Sequence, residues 1–107
     1  MPKYLFIGSY TADGARGLLK DGGTKRRQVV EQVVQSVGGT LESYYFGFGA
    51  DDFYLIADLP DHSAAAAVSL TAGGSGALSA RTVVLMTPED IDAAAQHSVP
   101  YTAPGQT

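Results

Sequence analysis

The chain has 107 residues, of which 45% are hydrophobic and 17% charged. That length implies one domain, and that balance is too apolar for a disordered chain. There is no cysteine, which excludes disulfides, thiolate nucleophiles, iron–sulfur clusters and the common cysteine-built zinc sites together. The net charge is −4 but unevenly spread: six of the seven basic residues lie in the first 27 positions, and from residue 28 onward Arg81 stands alone against nine acids. An acidic balance argues against general nucleic-acid binding. Only a short apolar run, residues 4–7, follows Met1-Pro2-Lys3, unlike an export signal. No stretch approaches the roughly 20 apolar residues of a membrane span. The expectation is a cytoplasmic protein without nucleic-acid or membrane partners.

Residues 3–10, rich in aromatic and branched side chains, predict the first strand. Residues 11–23 carry four glycines and read as a turn-rich connection, with one helical turn over 15–20. Thr24 reads as an N-cap. After it, Val29, Val30, Val33, Val34 and Val37 form one apolar stripe at helical period, and Gly38-Gly39 stops the helix. Valine is a mediocre helix former, so packing must supply much of this helix's stability. Lys25-Arg26-Arg27 in its first turn runs against the helix dipole, which favours acids there. The cluster is either a solvated face or a local anion contact.

Residues 40–48 and 53–59 predict two strands joined through Gly49-Ala50-Asp51-Asp52, a hairpin. Asp61 caps a second, alanine-rich helix over 62–72, closed by Gly73-Gly74-Ser75-Gly76. Residues 78–86 predict the fourth strand. Thr87-Pro88-Glu89-Asp90 combines an N-cap, a proline at the first helical position and two acids, and starts a short helix to about residue 96. Residues 97–107 read as a tail, either disordered or laid across a partner. The domain is thus 1–96, with a tail over 97–107.

The order βαββαβ plus a terminal helix points to an α+β, ferredoxin-like sandwich, because right-handed crossovers leave few topologies. An antiparallel sheet with one wet face alternates apolar and polar residues. These strands do not: Leu5 and Ile7 oppose Tyr4 and Phe6, Tyr54 and Ile56 oppose Phe53 and Leu55, and Val83 and Leu85 oppose Val84 and Met86. Two crossover helices cover one face only. A second copy stacked on the other is the expected cover, giving a homodimer or higher homo-oligomer.

Residues 4–11 (YLFIGSYT), Gly38-Gly39, the hairpin SYYFGFGADD over 43–52 and ADLPD over 57–61 resemble the GYD domain family over roughly residues 3–95. The resemblance implies a ferredoxin-like, dimeric α+β-barrel fold in small, mostly bacterial proteins of largely uncharacterised role. The family is named for a Gly, Tyr and Asp in the hairpin turn. Gly49 and Asp52 match, while Asp51 stands where the tyrosine would be.

Candidate site residues are few. Asp51 and Asp52 form an acid/base pair if the turn brings them together, and ordinary turn ligands to nearby amides if not. Tyr10 and Tyr44 suit either packing or a pocket for an aromatic ligand. His62 opens the second helix and His97 lies by the tail; two separated histidines make no metal motif. Arg81, on an otherwise apolar strand, needs a partner: Asp51, Asp52, Glu42 or a ligand carboxylate. No phosphate loop, dinucleotide fingerprint or serine-hydrolase elbow occurs, so neither a cofactor nor a metal is expected. The resulting functional expectation is binding of a small, partly aromatic or apolar ligand. The alternatives are a cofactor-independent enzyme of monooxygenase or cyclase type, by fold analogy, and a structural assembly module.

Overall fold

β1 (Lys3–Tyr10) and β3 (Phe53–Asp58) form the centre of a four-stranded sheet, with β2 (Thr40–Phe46) outside β3 and β4 (Leu78–Leu85) outside β1. The computed structural model describes residues 1–47 and 49–106. All three strand pairs are antiparallel. β1 and β2 therefore run parallel with β3 between them, and β3 and β4 run parallel with β1 between them. Crossovers α1 (Ala12–Asp21) and α2 (Gly23–Ser36) join the first of these pairs, and α3 (His62–Gly74) joins the second. This is the ferredoxin-like α+β arrangement. A short α4 (Pro88–Ala95) follows.

The segment expected to be a turn-rich connection with one helical turn is instead the ten-residue α1. Thr11 caps it, accepting the Gly14 N–H at 3.2 Å, with Asp13 in the first turn and Lys20 in the last. Gly14 is there for proximity: a Cβ at that position would lie 1.9 Å from the Ala77 carbonyl oxygen. Gly22, at φ +83°, ends α1 by donating its N–H to the Leu18 carbonyl and then serves as the N-cap of α2. Thr24, expected to be that cap, lies inside the helix. β2 ends at Phe46, short of the expected 48, and Phe48 itself lies outside the described residues. Asp61 caps α3 as expected, accepting the Ala64 N–H at 2.9 Å.

Tyr4, Phe6, Phe53, Leu55, Ala57 and Leu59 are buried beneath Val34 of α2 and Ala65 of α3. Large side chains buried this way each contribute about 1.5–3 kcal/mol. The register puts Leu5 opposite Ile56 and Val83, and Ile7 opposite Tyr54 and Arg81, on the other face. Among the described residues no helix covers that face; Val83 is 41% and Tyr45 70% exposed. The expected cover on both faces is therefore not supplied by a single chain.

The radius of gyration is 17.3 Å, against about 13 Å for a compact chain of this length. The excess is α4 and the residues after it, which project from the sheet with Ile91, Val99 and Tyr101 exposed. A capping box between Thr87 and Asp90 fixes the start of α4 without help from the sheet. Among the described residues no helix is long and apolar enough to cross a membrane.

Candidate ligand-binding crevice

α2 and α3 lie on the same face of the sheet but barely touch each other. The apolar stripe of α2 is wider than the core needs. Val30, Val34 and Val37 pack inward, while Val29 and Val33 remain 38% and 37% exposed. They face Val68, Ser69 and Ala72 of α3 across a crevice of about 70 Å³, floored by Phe6, Phe53, Leu55 and Leu78. Valine and alanine are too short to bridge the gap, so the residue choice on both helices leaves it open.

Arg26, in the first turn of α2, and Tyr44, on β2, stand at the edge of this crevice. The Arg26 Nε is buried and has no hydrogen-bond partner among the described residues. The Tyr44 hydroxyl lies 3.0 Å from that of Tyr10, and both rings pack against Phe53, at centroid distances of 6.4 and 5.3 Å. Burial raises the pKa of Tyr44 above the ordinary phenol value, and the bond to Tyr10 adds to the shift, while Arg26 pulls the other way. The hydroxyl is therefore a neutral donor or acceptor near neutral pH and not a general base.

The other sequence candidates lie elsewhere. Asp52 and Asp51 part company. Asp52 accepts the Tyr10 N–H at 2.9 Å and donates its own N–H to the Gly8 carbonyl at 2.8 Å, tying the hairpin turn to β1. Asp51 Oδ2 lies 3.2 Å from an Arg81 guanidinium nitrogen, on the helix-free face. The two carboxylates share no site, and Arg81 has an internal partner. His62 sits at the opposite end of the sheet from Tyr10, its Nδ1 2.6 Å from the Tyr4 hydroxyl. His97 is exposed. Among the described residues no three His, Asp or Glu side chains converge as metal ligands. The structure thus brings Tyr10 and Tyr44 together and keeps Asp51, Asp52, His62 and Arg81 out of the crevice. Sequence reasoning missed the exposed edge of the valine stripe and the place of Arg26 beside it. The available signal was the acid-free first turn with its three cations.

The sheet order and paired crossovers define a small ferredoxin-like α+β domain. Its sequence matches the GYD domain model over residues 4–95, and the chain belongs to that family. Comparisons with curated proteins and with solved structures gave no match.

Proposed function

We propose that this GYD domain binds a small, partly aromatic or apolar molecule between α2 and α3. The observation that carries the reading is the apolar crevice itself, left open between two helices above the core. Its described lining holds no carboxylate or histidine, which favours binding over cofactor-independent catalysis. Titration with benzyl alcohol, followed by methyl NMR, tests it. The Val29, Val33 and Val68 methyl signals are expected to shift together, and the crevice-filling Val33→Phe variant to abolish the response. Shifts confined to other methyls, or none, reject the reading.

The same proposal includes a cytoplasmic homodimer formed through the helix-free face. Leu5, Ile7, Ile56 and Val83 supply an apolar centre there, and the ion pairs of Lys3 and Arg81 flank it. A twofold axis through such a face makes the patch its own complement. The projecting α4 and tail then lie across the partner, covering Ile91 and Tyr101. Sedimentation at micromolar concentration is expected to give twice the 11.1 kDa chain mass, and a monomer rejects the dimer.

A further inference from the structure

We infer that the crevice selects an anion: a small aryl or alkyl monocarboxylate whose head group is held by Arg26 and whose body lies between α2 and α3. The inference rests on the binding reading above and adds the class of ligand. It begins from how the cations are distributed. Lys3, Arg16, Lys25, Arg27 and Arg81 each lie within salt-bridge distance of a carboxylate, and Lys20 is exposed to water. Arg26 is half-buried, makes no such pair among the described residues, and has a buried Nε–H without an acceptor. A buried donor left unpaired is costly, and the cost is larger for a charged group.

The surroundings of Arg26 do not supply the missing anion. Asp13 and Asp21, which line the neighbouring groove between α1 and α2, are engaged by Arg16 and Lys25. The first turn of α2 contains no acid, and no side chain caps it, so the positive end of the helix dipole adds to the guanidinium charge. Tyr10 and Tyr44 contribute a further donor. When Tyr10 donates to Tyr44, the Tyr44 proton is left for an acceptor in the crevice. A guanidinium fork beside a phenolic donor matches the two oxygens of a carboxylate. One unpaired cation and about 70 Å³ of apolar space fit a single negative charge on a small body, not a polyanion.

The test compares benzoate with benzyl alcohol, similar in shape but different in charge, on the full chain at low salt. Benzoate is expected to bind roughly tenfold or more tightly than the alcohol. In Arg26→Gln that preference should vanish while the affinity for benzyl alcohol is kept. Arg26→Lys, which retains charge without the fork, should recover part of it. Unchanged methyl spectra of the free variants confirm that they fold. Equal binding of the two probes by the wild type, or a preference that survives in Arg26→Gln, overturns the anion inference and leaves the crevice reading standing. Binding of neither probe rejects both.

Discussion

The two faces of the sheet are both apolar, yet they treat charge in opposite ways. On the helix-free face the cations are settled within the chain: Lys3 contacts Glu42 at 2.6 Å and Asp58 at 2.9 Å, and Arg81 contacts Asp51. On the helix face Arg26 is left with a buried, unpartnered donor beside an unfilled crevice. A face with its charges neutralised and its apolar centre exposed suits a broad, self-complementary contact. A face whose apolar crevice is edged by the unpaired Arg26 suits a small molecule. The same fold thus offers two kinds of recognition, and their energetics should separate under mutation.

The largest expected effect tests whether the faces differ in kind. Leu59 is fully buried in the core, and Leu59→Ala should cost about 2–5 kcal/mol through lost burial and a residual cavity. That loss should not depend on protein concentration. Leu5→Ala, in the centre of the helix-free face, should cost less in dilute solution and mainly flatten the rise of Tm with concentration that a dimer shows. Denaturant and thermal unfolding over a range of concentrations check both. A concentration-independent loss at Leu5 as large as that at Leu59 would erase the distinction between core face and contact face.

A smaller effect concerns α1, the element at the edge of the helix face. Gly14→Ala forces a Cβ against the Ala77 carbonyl and should destabilise by about 1–3 kcal/mol. Gly17, in the same helix, has open space where a Cβ would go. Gly17→Ala should therefore stabilise, by up to about 1 kcal/mol, through helix propensity. Responses of opposite sign in chemical denaturation would show that α1 is docked as a helix. Two destabilising results would show that it is not.

These two glycines also mark the limit of sequence reading. A glycine that loosens a loop and one that lets a helix pass close to a carbonyl look the same in a string of letters, so residues 11–23 read as a turn-rich connection with a single helical turn. Thr24 misled for a related reason: Gly22, through its positive φ, already ends one helix and starts the next. The strands, α2, α3 and α4 were legible because each combines a hydrophobic period with punctuation: Gly38-Gly39, Asp61, and the Thr87-to-Asp90 box. The site was legible in pieces. Tyr10 and Tyr44 stand out as tyrosines near strand ends, but their pairing depends on β1 and β2 being brought to the same end of the sheet by β3. Asp51 and Asp52 are adjacent in sequence, and the turn sends them to different partners. Arg26 was hidden in a triplet of cations, since only the packing decides which of three neighbours on a helix turns inward.

The smallest expected effect uses pH to separate the faces once more. Lys3 holds its proton more tightly than a free lysine, first through its hydrogen bond to Glu42 and then through that to Asp58. Tyr44 holds its proton more tightly chiefly because it is buried. Both folded-state pKa values lie above the unfolded ones, so the folded chain binds more protons than the unfolded chain at alkaline pH. Stability from these groups is complete below about pH 10 and falls as pH rises past the unfolded values of 10.0 for Tyr44 and 10.5 for Lys3. The two contributions respond differently to salt. The Lys3 pairs are substantially exposed and should fade in 1 M salt, where the screening length is about 3 Å. The Tyr44 contribution comes from desolvation and should persist. Denaturant unfolding between pH 9 and about 11.5, with Lys3→Met and Tyr44→Phe, resolves them: the salt-sensitive part of the alkaline decline should disappear with Lys3, and the salt-insensitive part with Tyr44. If Tyr44→Phe leaves the high-salt decline unchanged, Tyr44 is not buried in the manner described.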